Sequence, residues 1–267
     1  MNHSNVHAVT AFFCSPFSEA AVLIPEIRIP RPPRDASIPL PDEYYSSVAY
    51  VGQFITEWVA MLAGKRLKEV TQSVNLCVAG GIGLNIDTNR KFLDEVGFEH
   101  IFIQPGASDT GVPLGCALWG YHVILGQPRF WTMQSASLGR KYRDDEILAA
   151  IATYGSKITV RKSDNIAQET TELIADGSIV GWFQGGAEYG PRALGNRSIL
   201  CDARIPDMRN ILNNRVKHRE PWRPFAAAVP RECIHEYFEL AEENSFMLLR
   251  GTGASGETDR SSLRSAR

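Results

Sequence analysis

The stretch VNLCVAGGIGLN, residues 74–85, decides the fold class. Its first half, VNLCVAGG, is a continuous apolar run that reads as a buried strand entering a glycine turn. Upstream, from Tyr44 to about Val70, the apolar residues Val48, Val51, Ile55, Val59 and Leu62 recur at three- and four-residue steps, the period of a long amphipathic helix. Downstream, a helix is expected around 88–95, then a strand HIFIQP, then a helix of small residues, GVPLGCALWGYHVI. Strands that alternate with helices imply an α/β domain. Residues 8–24 extend the pattern, with a short helix in AVTAFF and a strand in EAAVLI on either side of a Ser-Pro break. Between that strand and the long helix from Tyr44 lies IRIPRPPRDASIPLPDE, with five of the fifteen prolines (Pro30, Pro32, Pro33, Pro39, Pro41). Regular structure does not survive that density, so 27–43 reads as a linker or a splice between two unlike pieces.

Beyond this domain the pattern lapses over 127–142 (QPRFWTMQSASLGRKY), the expected domain boundary. A second α/β run follows: helix DDEILAAIATYG, strand SKITVR, helix DNIAQETTELIADG with Asp164 at its N-cap, and strand IVGWFQ. The tail, residues 251–267, has no hydrophobic period and is expected to be disordered. There is no internal repeat.

Composition narrows the function class. The 267 residues are 44% hydrophobic and 22% charged, with a formal net charge of -2. Together with a pI near 6.3, this argues against a general nucleic-acid binder. Five well-separated cysteines (Cys14, Cys77, Cys116, Cys201, Cys233) form neither a disulfide framework nor a zinc knuckle, and fit a reducing cytoplasm. The start lacks a signal-peptide pattern, and no apolar run approaches the ~20 residues of a membrane span.

Four constellations could carry chemistry. His3 and His7, four apart, share one face of a helix and could reach one metal ion, with Glu26 or Asp109 as an acidic third ligand; the plain alternative is a frayed terminus. The glycines of VAGGIGLN could offer backbone N–H groups to a nucleotide phosphate. They match neither a Walker loop nor the dinucleotide fingerprint, and a simple tight turn is the alternative. Asp109, in QPGASDTGVPLG, either ligates a metal or caps the helix that follows. The fourth, GWFQGGAEYGPRALGNRSILCD (residues 181–202), opens a basic region. Between Glu188 and Arg223 lie eight cations (Arg192, Arg197, Arg204, Arg209, Arg215, Lys217, Arg219, Arg223) against four acids (Glu188, Asp202, Asp207, Glu220). Guanidinium groups grip phosphate oxygens bidentately, and a Gly190-Pro191 bend would hold Arg192 in place. The alternative is a solvated basic face paired with its own acids. Trp222 and Phe225 beside Arg223 favour a half-buried charge, and so a phosphate site.

Taken in order, these segments resemble the NodU/CmcH-type O-carbamoyltransferase family. His3-xxx-His7 with AVTAFFCSPFSEAAVL, then VNLCVAGGIGLNIDTN, then QPGASDTGVPLGCAL, then GWFQGGAEYGPRALGNRSILCDAR with WRPFAAAV close behind, each look like a family block; the match covers roughly 1–26 and 44–248. The resemblance implies two parts. Residues 1–126 would be part of an actin/Hsp70-like domain, akin to the threonylcarbamoyl transferases, that holds a divalent iron. Residues 143–250 would be a YrdC-like α/β domain. It implies that carbamoyl phosphate and ATP form carbamoyl-adenylate, and that the carbamoyl group passes to a hydroxyl of a small natural product. It also implies that His3, His7, Glu26 and Asp109 hold the metal. Gly80, Gly81 and Asn85, with Lys217 and Arg219, would serve the nucleotide; Arg192, Arg197 and Arg223 would hold the phosphates. The chain departs from the family where 27–43 replaces a long segment and where the tail from 251 matches nothing, so a truncated, internally deleted member is expected. A catalytically incomplete remnant that binds phosphate ligands or a full-length partner is the rival expectation. An RNA-binding module is a weaker one, because the charge is near neutral. A cytoplasmic protein without membrane attachment, with a homodimer among its expected states, completes the picture.

Overall fold

The chain is described here from a computed structural model, which covers residues 3–25, 42–239 and 244–253. It divides into two units, residues 1–134 with 246–250, and residues 135–245 with 251–267. The expected linker 127–142 therefore divides at Gln134, and residues 246–250 return to the first unit.

The first unit is built on a three-stranded parallel sheet, in the order β1 (Ala21–Leu23), β2 (Asn75–Val78), β3 (His100–Ile103). Register runs Ala21 to Leu76 and Leu76 to Ile101. Parallel neighbours need crossovers, which helices supply: α2 (Asp42–Thr71) lies between β1 and β2, and α3 (Ile86–Asp94) between β2 and β3. Because side chains alternate across a strand, β2 serves two layers. Leu76 and Val78 join Ile101, Ile103, Ala60, Met61 and Phe92 in the core beneath α2 and α3. Cys77 turns the other way, where its thiol meets Ser15 just past α1 (His3–Cys14). Burial pushes the Cys77 thiol up to about 11 and that of Cys14 to about 12, so both stay protonated and inert. All five cysteines are free, as their spacing indicates.

Helix α2 has the expected length, but its spacing-marked stripe points away from the sheet. Val48, Val51 and Leu62 are exposed, whereas Ala60, Met61 and Gly64 are buried. A Cβ on Gly64 would stand 3.0 Å from the Phe92 ring, which is why this turn approaches α3 closely. Gln53 and Glu57, polar residues that periodicity assigns to solvent, face α3 instead. Gln53 exchanges amide hydrogen bonds with Asn85, and Glu57 pairs with Lys91 Nζ at 2.9 Å. Burial pushes the Glu57 carboxyl up, but Gln53 and Lys91 outweigh it and hold the group below the usual range.

The second unit contains α5 (Asp144–Tyr154), α6 (Ile166–Ala175), an antiparallel pair β4 (Val180–Phe183) and β5 (Arg197–Leu200), and a short α7 (Met208–Ile211) that runs on as a wide turn over Leu212–Lys217. The strand expected at SKITVR does not form: a 3₁₀ turn covers Gly155–Lys157, and Ile158 and Val160 stand exposed. β-branched residues make a strand only where a neighbour accepts the ladder. The N-cap of α6 is Asn165, whose side chain accepts from Gln168 N at 3.2 Å, rather than Asp164. Of the tail expected to be disordered, Thr252–Gly253 pair antiparallel with Phe238–Glu239; residues 254–267 lie outside the described residues, as does most of the Pro-rich segment.

Candidate functional site

In the first unit, α1 carries His3 and His7 one turn apart on one face. Their Nε2 atoms lie 3.0 Å apart. Asp109, the first residue of a 3₁₀ turn Asp109–Gly111, places Oδ1 at 3.2 Å from His3 Nε2 and 3.7 Å from His7 Nε2. The three ligand atoms lie within 4.8 Å of one another. Two ligands each about 2.1 Å from one ion and at roughly right angles stand about 3 Å apart, so these separations fit a shared metal. Two histidines and one carboxylate on one side of an ion are the donor set that suits a six-coordinate divalent iron with open positions. His7 is buried and Asp109 almost fully exposed, so the cluster opens to solvent on its carboxylate side. Glu26, the other expected ligand, lies outside the described residues.

The small residues of GVPLGCAL explain how Asp109 arrives. The helix α4 (Val112–Leu118) packs on α1, and a Cβ on Gly115 would stand 2.5 Å from Val6 O and collide with Thr10 Oγ1. Thr10 Oγ1 donates to Val6 O at 2.8 Å, within α1, and lies 3.4 Å from Gly111 O. Glycine at 115 thus lets α4 seat against the turn of α1 that bears His7. The C-terminal end of α1 is gripped by Arg129, whose guanidinium donates to the carbonyls of Phe12, Ser15 and Phe17 and lies over the Phe12 ring. Sequence reading placed Arg129 in a linker; an arginine that serves distant carbonyls leaves no local signal.

The glycine turn after β2 is also shaped by its neighbours. Gly80 has a φ of 86°, its N–H donates to Ala107 O at 2.7 Å, and a Cβ there would press on Ile24 and Pro25. Gly81 is exposed with open space around it. Asn85 caps α3 by accepting from Thr88 N, and its amide is otherwise engaged by Gln53.

In the second unit, the loop between β4 and β5 carries the basic motif. The Glu188 side chain, only 4% exposed, accepts three backbone N–H bonds on one oxygen, Oε1: Leu194 at 2.9 Å, Asn196 at 2.7 Å and Arg197 at 3.0 Å. Burial pushes this carboxyl up, but the backbone donors outweigh it and hold the group below the usual range. The loop is stitched to residues 135–139 as well. Tyr189 N donates to Ala136 O, Gly139 N to Ala187 O, and Asn196 Nδ2 to Ser137 Oγ. A Cβ on Gly139 would lie 2.6 Å from Ala187 N, so the two strands of chain touch backbone to backbone. Gly190, at φ 99°, makes the bend before Pro191, and Arg192 follows it half-buried.

The remaining cations are spread along the surface. Arg197 is exposed with Nε 4.0 Å from Glu188 Oε2, and Arg204 forms a bidentate pair with Asp202. Arg223 is exposed, paired with Glu220 at 2.8 Å and lying over the 69%-exposed Trp222, so it is not bracketed by apolar groups as its neighbours imply. It is Arg219 that lies over Phe225, with Nε bonded to Asn213 Oδ1 at 2.7 Å. Asn213 is fully buried and also donates to the carbonyls of Pro221 and Arg223, so it sets the course of 219–223. Lys217 is exposed. Glu188 and Asn213 are the organising residues that sequence reasoning missed; an acid inside a glycine-rich loop, where amides need acceptors, was the available signal.

Two family models match the chain: the carbamoyltransferase N-terminus over residues 39–118 and the carbamoyltransferase C-terminus over residues 171–262, which extends past 251 into the tail expected to match nothing. The chain belongs to the carbamoyltransferase family. Among the relatives of this carbamoyltransferase-family chain, an uncharacterized protein of Synechocystis is 35% identical over 230 residues, covering 82% of this chain and 36% of that protein. The nodulation protein NolNO of Sinorhizobium fredii is 41% identical over 175 residues, 65% of this chain and 26% of that protein. The 3'-hydroxymethylcephem-O-carbamoyltransferase of Streptomyces clavuligerus is 30% identical over 211 residues, 78% of this chain and 37% of the enzyme. The chain therefore spans about a third of the length of these relatives. Among the described residues, no helix is long and apolar enough to cross a membrane.

Proposed function

We propose that this chain takes part in O-carbamoyl transfer, with carbamoyl phosphate and ATP as cosubstrates and the hydroxyl of a small molecule as acceptor. The observation that carries this reading is the His3–His7–Asp109 cluster, whose Asp109 lies within the stretch that matches the family's N-terminal region, residues 39–118. Its donor set and spacings suit a divalent iron, which when bound supplies Lewis acidity near a carbonyl or hydroxyl oxygen. His7, buried and fixed by the packing of α4 on α1, would set the position of such a site, while exposed His3 and Asp109 close around it. In the other part, the Glu188-braced loop would hold Arg192 and Arg197 toward anionic oxygens without the entropy cost of two free side chains. The chemistry balances as follows: carbamoyl phosphate gives up its phosphate with uptake of water, and the carbamate displaces pyrophosphate from ATP to form carbamoyl-adenylate. The acceptor oxygen then attacks the carbamoyl carbon and AMP leaves. The actin/Hsp70-like and YrdC-like character of the two parts belongs to this same proposal.

A second reading, phosphate-ligand binding without turnover, is favoured by the carboxylates that already face Arg204 and Arg223. One experiment separates the two. The purified chain, loaded with Fe²⁺, is incubated with ATP and carbamoyl phosphate, and pyrophosphate and carbamoyl-adenylate are measured. Release that depends on carbamoyl phosphate and is lost in Arg192→Ala supports transfer. Ligand-dependent thermal stabilisation with no pyrophosphate supports binding alone. Neither signal overturns both.

A further inference from the structure

Helix α2 presents an outward apolar seam that is exposed among the described residues. Tyr44, Val48, Val51, Ile55, Trp58 and Leu62 follow one another at steps of 4, 3, 4, 3 and 4 residues, the a/d spacing of a coiled-coil strip held for nearly three heptads. Five of the six are 41–57% exposed, and Phe54 beside them is 57% exposed. This strip lies opposite the face that seats Ala60 and Gly64 over α3. From Tyr44 to Ala63 the helix carries one charged residue, Glu57, and it faces α3, paired with Lys91.

We propose that this strip is a self-association surface, on which α2 of a second copy of this chain packs antiparallel. Three observations select that occupant. Spacing of this kind follows the path of a partner helix, and two copies of the same strip match in length and pitch. Side chains of this size present roughly 100–250 Å² each, so half-exposure of seven leaves about 500–700 Å² per copy, at the lower edge of the ~600–1,000 Å² per partner of a stable interface. Charge sets the direction. The strip is uncharged, but Glu43 precedes it and Lys65 and Arg66 follow it. A crossing centred near Gln53 lays Glu43 of each copy beside the Lys65–Arg66 end of the other, and opposes the helix dipoles favourably. A parallel pair would set like charges together at both ends.

The test uses the full chain in sedimentation equilibrium across a range of concentrations. A reversible dimer is expected. Val51→Glu and Trp58→Glu, at exposed positions where folding is unaffected by circular dichroism, should each weaken it by roughly a hundredfold or more, because each buries an unpaired charge. Leu148→Glu, on exposed α5, should leave it unchanged. In a Cys116→Ser background, Val48→Cys with Trp58→Cys should cross-link between copies under mild oxidation. Val48→Cys alone should not, since antiparallel copies hold that position about 15 Å apart along the axis. A chain that is monomeric at every concentration overturns the proposal, whether residues 26–41 or another polypeptide covers the strip. So does a dimer indifferent to both glutamates, and cross-linking by Val48→Cys alone overturns the antiparallel arrangement.

Discussion

At Glu188 a single carboxylate oxygen stands in for an anion inside the motif read as a phosphate grip, collecting three amides that would otherwise be unmet. Glu188→Ala leaves those amides, half-buried at Leu194 and Asn196 and exposed at Arg197, without their acceptor and should cost about 1–3 kcal/mol; Glu188→Gln keeps an acceptor but loses the charge, and should cost less. Urea unfolding of the two variants checks the order. The sign with pH follows from the lowered carboxyl: its contribution is complete above the ordinary glutamate value of about 4.3, and disappears as pH falls through the lower folded value. Acid titration of the wild type should therefore show a steeper loss of stability below about pH 4.3 than Glu188→Gln, in which the lowered carboxyls of Glu57, Glu169 and Asp202 still contribute. At the other cluster, His7→Ala removes the buried donor of the triad. Titration with Co²⁺, followed by its visible absorption, should show affinity lowered by roughly a hundredfold or more, with the far-ultraviolet spectrum unchanged.

The seating of α4 on α1 converts small residues into site geometry. Gly115→Ala would drive a methyl into Val6 O and Thr10 Oγ1, costing about 1–3 kcal/mol. Because Asp109 sits in the turn that leads into α4, the same variant should weaken Co²⁺ binding, whereas Gly81→Ala, in open space, should change neither. Thermal unfolding and metal titration on both variants check this. Element existence was legible where the hydrophobic period was long: α1, α2, α3 and all three strands of the parallel sheet appear where the sequence places them. Which face of α2 is buried was not legible. A helix with two apolar strips offers the same period on both, and only Phe92 and the pairing of Glu57 with Lys91 choose between them. SKITVR failed for a similar reason, since β-branched residues promise a strand only if a neighbouring edge exists.

At the scale of the whole molecule, burial is unevenly shared. Among the described residues, the buried apolar side chains of the second unit are Ala136, Met208 and Leu212, while the first unit holds the sheet core with Leu248 and Leu249. Apolar burial is the dominant stabilising term, so the second unit should open first. Hydrogen exchange should show amides of Val180–Phe183 exchanging well before those of Asn75–Val78. Fe²⁺ or Co²⁺ at a hundred times its dissociation constant should protect the first unit by about 2.7 kcal/mol and leave the second unmoved.

The sequence by itself determined the alternation of strands and helices, the glycine bend at 190, the family, and His3, His7 and Asp109 as candidate ligands, because each is written in local spacing or in residue type. Tertiary structure alone decided that those three ligand atoms meet, that Arg223 lies on the surface beside Glu220, and that Glu188, Asn213 and Arg129 organise loops far from them in sequence. The reason is physical. Periodicity records which side chains leave water, but hydrogen bonds and close approaches between distant segments depend on where the backbone has gone, and no local pattern carries that information.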